Sequence, residues 1–199
     1  MESSASKVAP PVDAVEDAVG ALRTFCAADP AVVSGRGLEA IIAGATIGAG
    51  RKTWLLPGPR ERACALLRGC SPERLDQARP YRVVPPGPSP AQRALQAVGL
   101  SLCGDRALAF LGTNSVSYGS FLEALNLAAL HQANVTFVVS WYVNEGPFAT
   151  QLAVSPAAIA RGFGLAAEAV DGTDAAAVRD AVAGLTGGGV VEARLVGRG

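Results

Sequence analysis

Residues 107–144, ALAFLGTNSVSYGSFLEALNLAALHQANVTFVVSWYVN, hold most of the chemistry this chain offers. An apolar strand runs into the turn Gly112-Thr113-Asn114, an Ala- and Leu-rich helix follows, and a second apolar strand carries Trp141-Tyr142, with Asn144 two residues beyond. A glycine turn that opens a helix can cradle a phosphate through backbone N–H groups and the helix dipole. The plainer reading is a glycine that simply makes the turn. Arg60, following Pro57-Gly58-Pro59, can bind an anion or be an ordinary surface arginine. The single histidine, His131, cannot complete a zinc site, and its place late in the helix suits a helix-end or interface histidine better than a base. Cys26, Cys64, Cys70 and Cys103 stand at irregular spacings without a C-x-x-C pair, which fits a reducing compartment and mostly buried thiols.

Those residues need a scaffold, and the composition allows one. The 199 residues are 50% hydrophobic, enough for one domain with a sizeable core. Lys plus Arg and Asp plus Glu both number 17, so the formal charge is zero and no nucleic-acid footprint is expected. Charged residues make up only 17% of the chain, which leaves apolar surface available for oligomerisation. No apolar run reaches the roughly 18 residues a bilayer span needs, and the N-terminal stretch lacks the pattern of a secretory signal, so a cytoplasmic protein is expected.

Along the chain, residues 1–12 read as a disordered polar tail and 13–199 as a single α/β domain. Helical spacing covers 12–29, and a second helix starts near Ser34 or Gly37 and is stopped by Gly48 and Gly50. A short strand, TWLLP, precedes a turn, a helix over 59–69, and another opened by Ser71-Pro72-Glu73. Residues 79–90 hold five prolines and one glycine and read as a rigid irregular connection. Helix and strand then alternate to the end: helices over 91–102, 118–133, 155–164 and 173–185, strands over 107–112, 134–143, 166–172 and 187–197. Phe121, Leu125 and Ala128 share one helix face, and Thr173 is the expected N-cap of the last helix. Short loops between alternating elements predict a mostly parallel sheet with helices on both faces.

Seven short strings carry a resemblance. The strand–turn–helix–strand of 107–144 resembles the thiamine-diphosphate motif of the alpha subunit of 2-oxoacid dehydrogenases, the decarboxylating component of the pyruvate and branched-chain complexes. RGLEAIIAGA resembles the family's Gly-Gln-Glu-Ala helix through Gly37, Glu39 and Ala40. The Tyr-Arg-x-His-Gly loop is matched at Arg60, with Pro59 at the Tyr position and Arg62 at the His position. Ala97-Val98-Gly99 matches the Ala-Val-Gly helix, and Gly119, Phe121, Glu123, Ala124, Leu125 and Asn126 match the helix after the turn. Asp171, Gly172 and Asp174 match Val-Asp-Gly-x-Asp, and GGVVEARL resembles the strand that follows.

The resemblance implies a thiamine-diphosphate-binding fold of the diphosphate-side type, with thiamine diphosphate and Mg²⁺ as cofactors. It implies cofactor contacts at Arg60, Gly112, Thr113, Asn114, Tyr142 and Asn144. In the family a turn Asp and a downstream Asn bind the metal; here those positions are Thr113 and Tyr142, 29 residues apart. A hard dication needs anionic and carbonyl oxygens, and Thr113 offers a neutral hydroxyl. Asn144 could serve only by a slip of two places, and it would not replace the carboxylate. Arg62 cannot act as a base. The expectation is therefore an alpha-subunit-like chain with no catalytic and no metal-ligating residues, acting structurally or in regulation. Its partner would be a beta-type chain or another copy of itself, packed against helix 120–132 through Ala124, Leu127, Ala128 and Ala129. An active half-subunit, with Asn114, Asn144 and Arg60 holding the diphosphate at an interface with a beta-type chain, is the rival. A stand-alone small-molecule binding module is a third reading.

Overall fold

The computed structural model describes residues 14–28, 37–87, 89, 92–143 and 152–196. The tail expected over 1–12 and Asn144 lie outside them. Five parallel strands form one sheet in the order β1-β2-β3-β5-β4: β1 Trp54–Leu56, β2 Ala107–Gly112, β3 Val135–Val143, β4 Ala167–Asp171 and β5 Gly189–Val196. The helices are α1 Val15–Ala28, α2 Leu38–Ala49, α3 Cys64–Leu67, α4 Gln92–Leu102, α5 Gly119–Leu130, α6 Pro156–Gly162 and α7 Ala175–Gly184.

The strand order dictates which helix covers which face. Parallel crossovers are right-handed. The steps β1 to β2 to β3 to β4 all run one way across the sheet, so α4, α5 and α6 fall together on one face. The step back from β4 to β5 sends α7 to the other, beside α1, α2 and α3. The core divides accordingly. Phe121, Leu125, Val98 and Ala160 pack with Phe137, Val139 and Trp141 on the α5 side. Leu22, Ile41, Ile42, Leu67 and Val178 pack with Leu108, Phe110 and Val138 on the α2 side. Strand β3 feeds both clusters because successive side chains point to opposite faces. On the α5 side, Phe121 meets Phe137 edge-on at 5.9 Å and 88°.

Helix α2 runs on through Gly48 and is closed by Gly50, whose N–H bonds the Ile47 carbonyl. Gly48 is therefore no stop signal; like Gly44 it lies where the α7 backbone comes close, and a Cβ there would press on the Arg179 carbonyl oxygen. Residues 59–77 are 3₁₀ turns around the four-residue α3 rather than two full helices. The proline-rich connection contributes one β-bridge, Leu55 to Val83. The N-cap of α7 is Asp174, whose Oδ1 accepts from the Ala176 and Ala177 N–H groups. Thr173, one residue earlier, donates through N–H and hydroxyl to Asp171 Oδ1. These bonds hold the Asp171 carboxyl below its ordinary value.

Ala124 and Ala128 are buried against the chain's own sheet, so they do not wait for a partner as the sequence suggested. The period of 3.6 places them in phase with Phe121 and Leu125, on the core stripe. The four cysteines are free; Cys64 and Cys70 are buried, Cys26 is half-buried and Cys103 is exposed. Burial pushes the Cys64 thiol far up, and it stays protonated. No helix among the described residues is long and apolar enough to cross a membrane.

Candidate functional site

Ligands of open parallel sheets sit beyond the carboxyl ends of the strands, where neighbouring connections part to opposite faces. That condition is met between β1 and β2. The chain leaving β1 turns toward α2 through Ala63, Cys64 and Leu67. The chain leaving β2 turns toward α5 through Val116 and Phe121. The crevice this topology predicts is flanked by Gly58 and Arg60 after β1 and by Gly112 and Thr113 at the end of β2, with the end of β3 tied to Thr113.

Thr113 decides what this crevice can hold. Strands β2 and β3 pair in register up to Gly112 and Ser140. One residue further, the Thr113 hydroxyl donates to the Ser140 carbonyl at 3.0 Å and accepts from the Tyr142 N–H at 2.9 Å. The side chain thus adds a rung to the ladder, and its proton and a lone pair are committed to main chain. Replacing Thr113 with valine, near in shape but without the hydroxyl, removes both bonds. At about 1 kcal/mol each, the expected loss is about 2 kcal/mol, read as a lower urea midpoint, with Thr113→Ser close to unchanged.

Trp141 and Tyr142 diverge by strand alternation. Trp141 packs into the α5-side core. Tyr142 packs against the α2-side core, and its hydroxyl is shut off from solvent without a hydrogen-bond partner among the described residues. Burial raises its phenol above the ordinary value, while the positive charge of Arg60 pulls it back and Glu61 and Glu39 oppose. Arg60 itself is exposed at the start of the 3₁₀ turn over 61–63. Asn114 is exposed, and its carbonyl accepts from the Ser117 hydroxyl. Arg62 lies 3.9 Å from Asp76, and His131 is an exposed C-cap of α5.

Two charged groups of the crevice are not foreseen from sequence. Glu61 and Arg93 are both buried, at 7% and 5% exposure, and both reach the space beside Gly58. Arg93 Nη1 donates to the Phe110 carbonyl at 2.7 Å while its Nε has no partner. Burial lowers the guanidinium's affinity for its proton, Glu61 restores part of it, and arginine stays charged. A signal was there to be read: Arg93 is in phase with the buried Ala94, Ala97, Val98 and Ser101 of α4. Glu61 gave none. A third charge, Glu192, is fully buried on β5, where Oε2 accepts from the Ala157 N–H of α6 and Oε1 from Arg194 Nε.

The fold is an α/β domain with one parallel sheet between two layers of helices. A solved structure from Mycobacterium smegmatis, provisionally assigned as a thiamin diphosphate-dependent enzyme, superposes with a TM-score of 0.52 at 18% identity. The match covers 78% of this chain and 32% of that one, so the chain spans about a third of that protein's length. Residues 92–184 match the family described as the dehydrogenase E1 component. No curated protein matches the chain.

The matched segment contains both positions where such a family would hold Mg²⁺, and the residues there do not fit the ion. One is a hydroxyl already spent on two main-chain bonds, the other a phenol turned into the α2-side core. Nor do three or more His, Cys, Asp or Glu converge anywhere among the described residues.

Proposed function

We propose that this chain is an alpha-subunit-like component of a thiamine-diphosphate-dependent 2-oxoacid dehydrogenase that has lost the metal and now serves as a structural or regulatory subunit. Its assembly partner is a beta-type chain or another copy, and its compartment is the cytoplasm. The observation that carries this reading is the Thr113 hydroxyl, which ties β2 to β3 where a metal ligand would have to point outward. An aspartate there could accept the Tyr142 N–H but would face the Ser140 carbonyl without a proton to donate.

One observation favours a second reading. The unpartnered Tyr142 hydroxyl, with Arg60 acting on it, is suited to a diphosphate without a metal. The active half-subunit would then hold thiamine diphosphate at an interface with a beta-type chain.

Calorimetric titration separates the two. Thiamine diphosphate is added to the chain alone and with a beta-type chain, each with and without Mg²⁺. The structural reading expects no heat in any arm, with a stable complex on size exclusion. Micromolar binding that requires the partner, is indifferent to Mg²⁺ and is lost in Arg60→Ala would establish the second reading. Binding that requires Mg²⁺ would overturn both.

A further inference from the structure

We infer that the cleft at the amino end of β1, lined by Arg51, Arg68, Pro80, Tyr81 and Arg82, binds the phosphoryl group of a small molecule. It lies at the opposite end of the sheet from the crevice beyond Gly112. Arg51 stands just before β1, and the segment that carries Arg82 runs along the outer edge of that strand. There the Leu55 N–H donates to the Arg82 carbonyl, and Leu55 bridges Val83. The 3₁₀ turn over 79–81 ends at Arg82, whose φ of 57° lies in the left-handed region. Glycine is the usual occupant of that region, so the surrounding bonds hold this arginine in place against backbone strain.

Arg68 anchors the cleft. It caps the short α3, is only 9% exposed, and reaches the turn between α2 and β1. Its Nη1 donates to the Arg51 carbonyl at 2.7 Å, and Nη2 donates to the carbonyls of Gly50 at 2.8 Å and Thr53 at 3.4 Å. Three of an arginine's five N–H donors are thereby fixed, which leaves two for the cleft. All three acceptors are main chain, so none neutralises the charge. Burial loosens the guanidinium's hold on its proton, and the charges of Arg51 and Arg82 add to that effect. Arg82 is fixed as well: Nη1 donates to the Lys52 carbonyl and to Asp105 Oδ1, each at 3.0 Å, and the guanidinium lies 5.3 Å from the Trp54 ring centre. Asp105 answers Arg82, but among the described residues no carboxylate lines the cleft itself. A clamp on the turn accounts for Arg68 alone. Two further arginines on the same cleft cost free energy unless an anion lies among them.

The same chemistry selects the ligand. Guanidinium forks match the oxygens of carboxylates and phosphates. A carboxylate brings one charge and two oxygens, whereas a phosphate monoester brings nearly two charges and three oxygens, the fuller answer to three arginines. The cleft measures about 270 Å³. That exceeds the few water volumes, of about 30 Å³ each, that a phosphate ion fills, and leaves room for a small organic group against Pro80 and Tyr81. Thiamine diphosphate carries a thiazolium cation beside its diphosphate, which the arginines oppose. Binding at this cleft needs neither Mg²⁺ nor a partner chain, so the inference stands apart from the functional reading above.

The test is a heteronuclear NMR titration of the full chain, at constant ionic strength, with inorganic phosphate and separately with glycerol phosphate. Saturable shifts centred on the amides of 50–53 and 81–83 are expected. Arg51→Ser, at an exposed position, should keep the thermal melt and weaken the affinity about tenfold, the worth of one charge-assisted hydrogen bond. Arg68→Lys keeps the charge but loses the fork and should weaken it as much; Arg51→Ser decides the matter if that variant melts early. Arg23→Ser, on the outer side of α1, is the control and should bind as the parent chain does. Tighter binding of glycerol phosphate assigns an ester as the ligand, and equal affinities assign free phosphate. The absence of saturable shifts below about 10 mM of either probe overturns the inference. So does binding that Arg51→Ser and Arg23→Ser weaken alike.

Discussion

Gly44→Ala is expected to destabilise the protein by about 3 kcal/mol, and Gly44→Val to leave it largely unfolded at 37 °C. On helix propensity alone the sign would be the opposite, since alanine is favoured over glycine inside a helix by about 1 kcal/mol. Here the α2 and α7 backbones touch. A Cβ at Gly44 would lie 2.3 Å from the Ala175 carbonyl oxygen, 2.9 Å from Val178 Cβ and 3.0 Å from the Arg179 N. Those atoms belong to the first turns of α7, which Asp174 caps and Val178 anchors in the core. Relief therefore requires the helices to separate, and overpacking of this kind costs about 1–3 kcal/mol or more. The control is Gly99→Ala on α4, which has nothing within 4 Å of its Cβ position and should gain a few tenths to about 1 kcal/mol. Urea midpoints moving in opposite directions for the same substitution would bear this out; a neutral or stabilised Gly44→Ala would show that the helix pair is not tightly seated.

Arg93→Met is expected to cost about 3–5 kcal/mol, the range for removing one partner from a buried charged pair. Methionine fills much of the volume, so the loss is chiefly electrostatic. It strips the Phe110 carbonyl of its donor and leaves Glu61 buried without its counter-charge. Adding Glu61→Gln should recover part of the loss, because the stranded charge is gone. Denaturant unfolding of the two single variants and the double closes the cycle. Strict additivity would mean that Glu61 and Arg93, although neighbours beside Gly58, do not support each other.

Much of the architecture was legible. The apolar runs at 107–112 and 134–143, with an amphipathic helix between, could hardly be anything but two buried parallel strands and their crossover. Where the reading failed, the cause is specific. Residues 59–77 contain helix formers but are broken by Pro59, Gly69 and Pro72, and four residues of α-helix are too few to repay a helical nucleus. Thr173 and Asp174 both suit an N-cap, and only the engagement of Thr173 with Asp171 assigns the role to Asp174. Gly48 looked like a stop because a glycine's need for room is visible only once its neighbour is in place. At the site, the neutral hydroxyl of Thr113 could be seen in the string. What its hydroxyl does instead depends on the pairing of Gly112 with Ser140, a tertiary fact with no local signature.

The position of β5 has a consequence for how the protein is made. Strand β5 is the last of the five in the chain, yet it lies inside the sheet, and β4 pairs with no other strand. On the ribosome, β1 to β3 can line up as they emerge, but β3 keeps an open edge and β4 has no neighbour until residue 196 has cleared the exit tunnel. A nascent chain arrested before β5 therefore carries the open apolar edge of β3 and an unpaired β4, a state prone to mispairing and chaperone capture. Closure comes as a single late event, when the final strand slots between two that are already waiting.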